Sequence, residues 1–110
     1  MREIKESDWK IFRQLHEVTL ERFCERVLDE SDPLRRDTTR SAHERYVAIY
    51  QLFHKRDEEL ADIFNDLRRS TALLQLAAIK GRGLLADGEF ARLSQEAQNM
   101  VAVLLGEEPG

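Results

Sequence analysis

The sequence is poor in the residues that cross-link a chain or interrupt a helix. Of its 110 residues, one is cysteine, two are proline and five are glycine. The single thiol, Cys24, excludes a disulfide within the chain, and nothing points to an oxidising compartment. Apolar runs fall far short of the roughly 20 residues that span a bilayer, and the first residues lack the apolar segment of a signal peptide. We therefore expect a cytoplasmic protein without a membrane partner.

What the sequence has in abundance is charge of both signs. Charged residues make up 35% of the chain, above the usual quarter, and the 17 Lys and Arg against 21 Asp and Glu give a net charge of −4. A chain of this length buries about two-thirds of its unfolded surface, which is enough for one core without a metal or a disulfide. The composition predicts a single helical domain over residues 1–110.

Residues 34–80 form a run without Gly or Pro that carries a seven-residue apolar repeat. The alternating a and d positions are Tyr46, Ile49, Phe53, Arg56, Leu60, Ile63, Leu67, Ser70, Leu74 and Ala77. Eight of these ten are apolar or aromatic, and such a repeat is typical of a long helix that presents a seam to partner helices. We expect this helix to begin near Thr38 or Thr39 and to end at Lys80, a length of about 60 Å.

A first helix precedes this run. Either Ser7 or Asp8 can cap its free amide groups, and its apolar stripe continues to about Glu30. We expect it to stop before Ser31, because Pro33 follows closely and proline disfavours the helix interior. The short polar connector after it favours an antiparallel helical hairpin.

Glycines mark the end of the long helix. Gly81 and Gly83 indicate a helix stop, because glycine readily adopts the left-handed conformation that turns the chain back. The remaining chain predicts a short helix around residues 88–93 and a last helix from a Ser94 cap to Leu105. Apolar residues recur there at helical spacing, so we expect this part to fold back over the second half of the long helix.

These elements together predict an all-α fold. It consists of a helical hairpin with one long central helix over residues 39–80 and a C-terminal helix folded back. The alternative is a break in the polar segment 54–59, where Asp57 could cap a new helix and produce a monomeric four-helix up-down bundle. Continuity is favoured, because the apolar register does not slip across this segment.

The apolar stripe of the long helix is wider than one partner helix requires. Tyr50 and Phe64 at e positions, with Leu52 and Leu73 at g positions, extend it on both sides. Several such side chains left exposed in a row would forfeit burial energy and invite aggregation. We therefore predict a homodimer about a twofold axis, a dimeric bundle of coiled-coil-like helices. The predicted self-association or partner face consists of Tyr46, Ile49, Phe53, Leu60, Ile63, Phe64, Leu67 and Leu74.

The sequence contains no recognisable catalytic, cofactor or metal motif. His16 lies in the apolar stripe of the first helix, but there is no Glu-x-x-His pair, His-Glu-x-x-His or paired-cysteine spacing. Cys24 has apolar neighbours in mid-helix, which indicates packing rather than a reactive thiol. We predict no enzymatic activity, no cofactor and no metal. An enzymatic hypothesis would need His16 or His43 to meet carboxylates of another helix or subunit in a pocket.

Four residues near the start of the long helix form a weaker, polar candidate site. Tyr46 and Tyr50 are one helical turn apart, and Arg40 and His43 flank them. Such a cluster could bind a small anion or a partner peptide. Surface ion pairing is the more common explanation of mixed charges on a helix.

The sequence thus predicts a small non-enzymatic helical protein that acts as a protein–protein interaction or regulatory module. The alternative is a nucleic-acid-associated regulator that uses the basic segment 35–56, which has six Lys or Arg against two Asp or Glu. The chain as a whole is acidic, and no helix-turn-helix signature follows this segment. A protein partner is therefore favoured over nucleic acid.

Overall fold

The fold, taken from a computed structural model that describes residues 3–107, is built from helices. In chain order they are α1 (Glu6–Arg36), α2 (Ala42–Phe64), a 3-10 turn (Arg69–Thr71), α3 (Ala72–Gly81), α4 (Asp87–Phe90) and α5 (Gln95–Leu104). The all-α prediction is confirmed. Over the described residues, the search for a helix of membrane-spanning length and apolarity finds none.

The two longest helices, α1 with 31 residues and α2 with 23, form the predicted hairpin. Two contacts fix their antiparallel sense. Near the connecting loop, the Arg45 guanidinium donates to the Arg35 carbonyl at 2.7 Å, and at the other end the His16 ring Nε2 lies 2.9 Å from the Phe64 carbonyl. The start of α1 therefore lies beside the end of α2.

The end of α1 differs from the prediction, because the helix continues through Pro33 to Arg36. The missing proline amide falls in the last turn, where only three residues follow it in the helix. Hairpin packing holds this turn in place: Leu34 is half-buried, and the Arg35 carbonyl accepts the hydrogen bond from Arg45. Tertiary contacts therefore outweigh the local cost of the proline.

Both helices also begin a few residues away from their predicted starts. Helix α1 begins at Glu6, so neither Ser7 nor Asp8 caps it. Helix α2 is capped by Ser41, whose hydroxyl accepts from the Glu44 amide while the Glu44 carboxylate accepts from the Ser41 amide. This reciprocal capping box satisfies two donors that a helix start leaves unpaired.

The predicted long helix over residues 39–80 is wrong, because α2 ends at Phe64. Asn65 leaves the helix with an extended backbone, and Asp66 has a φ of 64°, a left-handed conformation that ends helical pairing. Short polar side chains favour such a stop, since they offer the backbone alternative hydrogen bonds. Here the Thr71 hydroxyl donates to the Asp66 carbonyl at 2.9 Å, and the Gln75 amide donates to the Asn65 carbonyl at 2.6 Å.

Burial is the larger reason for this break. Folding back at residues 65–71 lets α3 place most of its apolar residues in the core between α1 and α5. In a continuous helix of about 60 Å the same side chains would extend beyond anything this chain could pack against them. Each buried large apolar side chain contributes about 1.5–3 kcal/mol, whereas helix propensities differ by less than about 1 kcal/mol per residue.

The alternative break near Arg56 is also wrong. Residues 54–59 lie inside α2. The Arg56 guanidinium bonds the Glu59 carboxylate at 2.7 Å on the same helix and the Glu30 carboxylate at 3.0 Å on α1. The polar segment is therefore an ion-paired part of a continuous helix, and the described helices do not form a four-helix up-down bundle.

The core lies at one end of the hairpin, where α3 and α5 pack beside the N-terminal half of α1. Its fully or nearly fully buried apolar residues are Ile4, Phe12, Leu15, Phe23, Ile63, Phe64, Ala72, Leu73, Leu76, Ala77, Ile79, Leu84, Leu93, Ala97 and Val101. Three predictions are confirmed here: Gly83, with a φ of 70°, turns the chain after α3, Ser94 caps α5, and α5 folds back over α3.

The other end of the hairpin projects beyond this core. The described chain measures 53 × 24 × 23 Å and has a radius of gyration of 17.0 Å, against about 13 Å for a compact domain of this size. The elongation comes from α1 and α2 together. In the projecting part, and among residues 3–107, each of these two helices has only the other as a neighbour.

Candidate interaction face on the hairpin

The structure divides the predicted self-association face into separate parts. Ile63 and Phe64 are buried in the core of the chain itself, where the Phe64 ring meets the rings of Phe23 and His16 edge-on at 5.8 and 5.4 Å. Leu60 is partly buried and packs against the same core. These three residues hold the hairpin together.

Two further members of the predicted face lie beyond the break. Leu67 is in the connection after α2, and Leu74 is on α3, and both side chains are exposed. The turn at Asp66 takes them off the line of the α2 seam. They are therefore separated from the remaining members of the predicted face.

The remaining members form an exposed aromatic strip on the projecting part of α2. Tyr46 is 70% exposed, Tyr50 62% and Phe53 38%, and their spacing of four and three residues places them along one side of the helix. Ile49, half-buried, lies among them. This part of the predicted face is accessible to a partner.

Helix α1 adds a residue that the sequence analysis missed. Leu28 is 54% exposed, although it lies between the half-buried Val27 and the polar end of the helix. It stands one residue away from the apolar stripe that packs against α2. An apolar residue that lies beside this stripe, and not on it, is a sequence signal for a second apolar face on α1.

Leu28 and Phe53 border one groove, of about 250 Å³, that runs between α1 and α2. Its lining residues are Phe23, Cys24, Val27, Leu28, Phe53, Arg56, Asp57 and Leu60. We call this groove, together with Tyr46 and Tyr50, the hairpin face. Seven of these ten residues are apolar or aromatic apart from the cysteine, so the face can bury apolar surface of a partner.

The opposite side of the hairpin is covered by charged groups instead. Arg26 and Glu30 lie two residues from Cys24 and Leu28, hence about 200° around the helix. The Arg26 guanidinium donates to the Arg82 carbonyl at 3.0 Å, and the Arg82 guanidinium reaches the Glu59 carboxylate at 3.1 Å. The connection after α3 therefore closes this side, and the hairpin face is the open one.

The ion pairs on the closed side lower the pKa of the Glu59 carboxyl. Its hydrogen bond from Arg56 is the largest cause, followed by the one from Arg82. The same pairing, first with Glu59 and then with Glu30, raises the pKa of Arg56. These groups are charged partners within the fold, which leaves less of the basic segment 35–56 for phosphates.

The two titratable residues of α1 considered as chemical candidates serve the packing. The His16 ring lies between the rings of Phe12 and Phe64 and meets the last carbonyl of α2. Cys24 lines the groove, where burial first and the charge of Glu21 second raise the pKa of its thiol. A raised pKa reduces the thiolate fraction and therefore the reactivity of this cysteine.

The weaker polar site, Arg40, His43, Tyr46 and Tyr50, lies on the surface around the start of α2. All four side chains are exposed, and the Tyr50 ring stacks on that of His54 with centroids 6.1 Å apart. Among residues 3–107, no three His, Cys, Asp or Glu side chains are grouped as metal ligands would be. Tyr46 and Tyr50 thus belong to the hairpin face, and Arg40 and His43 precede them at the start of α2.

Comparison of the chain with protein-family models, with curated proteins and with solved structures finds no match, so the hairpin face and its chemistry carry the functional argument.

Proposed function

We propose that this chain is a non-enzymatic helical module that self-associates through the hairpin face and acts as a protein–protein interaction or regulatory unit. The observation that carries the proposal is the exposure of Leu28, Tyr46 and Tyr50 beside an apolar groove, on a side of the hairpin that no other described helix covers. Helical domains are built from layers that bury each other's apolar faces.

The energetics favour covering this face. Burying a large apolar side chain contributes about 1.5–3 kcal/mol relative to leaving it in water. Leu28, Tyr46, Tyr50 and Phe53 retain between 38% and 70% of their accessible surface in the single chain. A second hairpin laid on this face buries all four on both copies and converts two projecting helix pairs into one four-helix unit.

Charge complementarity favours a second copy as the occupant. The exposed Glu21 precedes Leu28 by seven residues and the exposed Arg35 follows it by seven, so α1 presents opposite charges on either side of the apolar centre. A twofold axis pairs a surface with itself, and a surface that contains both signs can satisfy its own charges. A uniformly basic or acidic face would instead repel a second copy of itself.

Sedimentation velocity over a concentration series tests this proposal. We expect the mass to rise from 12.8 kDa towards twice that value for the natural sequence, and to remain at the monomer value for Phe53→Asp. Phe53 is preferable to Leu60 as the test position, because Leu60 packs against the core and an aspartate there would also destabilise the fold.

A control is Val103→Asp on α5, which places the same charge at another exposed apolar position, away from the hairpin face. It should dimerise like the natural sequence. Both variants should retain the helical circular dichroism of the natural protein at low concentration, which shows that each variant is folded. A natural sequence that stays monomeric throughout the series contradicts the proposal.

A further inference from the structure

We propose that the second copy docks antiparallel on the hairpin face, with Glu21 of each copy beside Arg35 of the other. This inference rests on the proposed self-association and adds its orientation. The twofold axis lies in the interface and crosses the helices near Leu28 on α1 and Phe53 on α2. Each α1 then packs on the α1 of the other copy, and each α2 on the other α2.

The seven-residue spacing of charged and apolar residues on α1 supports the antiparallel orientation. Glu21, Leu28 and Arg35 are separated by seven residues each, so they lie within about 20° per heptad of one line along the helix. Glu21 lies three residues before Cys24, which lines the groove, so the two residues are neighbours on the helix surface and Glu21 lies at the border of the hairpin face. Reversing one helix about Leu28 superimposes the position of Glu21 on that of Arg35.

Helix α2 has the same symmetry of spacing about Phe53. Tyr46 precedes Phe53 by seven residues and Leu60 follows it by seven. The antiparallel arrangement therefore lays the exposed Tyr46 ring over the groove at Leu60 of the other copy. The most exposed aromatic residue thus meets an apolar position that the single chain leaves partly open.

The parallel arrangement about the same face is disfavoured by charge. It brings the two connecting loops together, and each loop carries the exposed Arg35, Arg36 and Arg40 within a few residues. Like charges so placed repel across the interface. The antiparallel dimer places the two loops at opposite ends of the interface and so avoids this repulsion.

Disulfide trapping distinguishes the two orientations. In a Cys24→Ser background, a mixture of the Glu21→Cys and Arg35→Cys proteins should form a cross-linked heterodimer under mild oxidation, because a disulfide needs Cα atoms within about 7 Å. Neither protein alone should cross-link. A mixture of Arg35→Cys with Tyr46→Cys provides the parallel control, since that arrangement lays α1 of one copy on α2 of the other.

A charge exchange gives an independent readout in solution. Glu21→Arg or Arg35→Glu alone should each raise the dimer Kd about tenfold, since two exposed ion pairs per dimer become repulsive, and the double exchange should restore it. Arg36→Glu, which adds the same charge change one residue away and about 100° off the face, should have a smaller effect. All three positions are exposed in the single chain, so the substitutions should leave the fold intact.

The outcomes separate this inference from the proposal on which it rests. A 21–35 cross-link with rescue by the double exchange supports the antiparallel dimer. A dimer that depends on Phe53 but cross-links between positions 35 and 46, or that the double exchange fails to rescue, overturns the orientation and leaves self-association intact. A natural sequence that is monomeric at every concentration overturns both.

Discussion

The carboxylate of Asp8, on the first turns of α1, receives two hydrogen bonds from Ser94 at the start of α5. The Ser94 amide donates at 2.8 Å and its hydroxyl at 2.6 Å, and Asp8 is only 3% exposed. The same hydroxyl accepts from the Ala97 amide and caps α5. Two residues 86 positions apart thus join the first helix to the last and close the core.

Removing this carboxylate should destabilise the fold. Asp8→Ala leaves the part-buried Ser94 amide without its acceptor, and hydrogen bonds to charged groups contribute about 1.5–3 kcal/mol. We expect the free energy of unfolding, measured by urea denaturation, to fall by about that amount. Glu25→Ala, an exposed carboxylate on the same helix, should change it by less than about 0.5 kcal/mol. Equal effects of the two substitutions would contradict the structural role of Asp8.

The pairing of Glu89 with Arg22 predicts a dependence of stability on pH. Two hydrogen bonds from the Arg22 guanidinium, one of them 2.7 Å long, are the main cause that lowers the pKa of Glu89 from 4.5 to about 2. Because the pKa is lower in the folded state, the pair stabilises the fold fully above pH 4.5. This contribution is lost as the pH falls from 4.5 towards 2.

Glu89→Gln tests this pH dependence. The free energy of unfolding of the variant should be lower than that of the natural sequence at pH 6, and the difference should shrink as the pH approaches 2. We expect a difference of about 1 kcal/mol at pH 6, because Arg22 is 39% exposed and solvent screens the pair. A difference that is constant between pH 2 and pH 6 would show that the carboxylate charge is unimportant.

Asp66 should respond to substitution according to its backbone conformation. Its φ of 64° is favourable for glycine and costs an ordinary L-residue about 1–2 kcal/mol. Asp66→Gly should therefore preserve or raise the melting temperature, and Asp66→Ala should lower it. Both substitutions remove the exposed contact with Arg68, so the comparison isolates the backbone term. If the Asp66→Ala protein melted at or above the temperature of the Asp66→Gly protein, residue 66 would not have the left-handed conformation.

The thiol of Cys24 offers a probe of the hairpin face under native conditions. It lines the groove, and its raised pKa already predicts slow alkylation at neutral pH. Self-association should slow the reaction with iodoacetamide further as the protein concentration rises. Phe53→Asp should react at one rate at all concentrations. A natural sequence whose rate is independent of concentration while its mass doubles would place the interface away from the groove.

Much of the helical organisation follows from local pattern. The scarcity of Gly and Pro, the heptad repeat and the glycines after Lys80 predict helices and their approximate order, and the Ser94 cap is found where its spacing places it. The register also correctly carries α2 through its polar segment, because residues 54–59 are all acceptable in a helix interior. For the candidate site, the same repeat identifies Tyr46 and Phe53 but includes Ile63, which the core buries.

The end of α2 depends instead on long-range packing. Asn65, Asp66, Ser70 and Thr71 all have modest helix propensity, and their grouping within seven residues is a local signal for a turn. The apolar register continued across them, so the repeat alone favoured a continuous helix. Burial of α3 in the core outweighs that preference. Burying a large apolar side chain contributes more free energy than a residue gains from its helix propensity.

The same packing decides which apolar residues remain outside. Once α3 and α5 occupy one side of the hairpin, the charged contacts of Glu59 and Arg82 close that side, and Leu28 and Phe53 are left on the other. A periodic pattern specifies that a helix has an apolar face, since that depends on residue spacing along one element. It does not specify which neighbour covers the face, since that depends on contacts between residues distant in the chain.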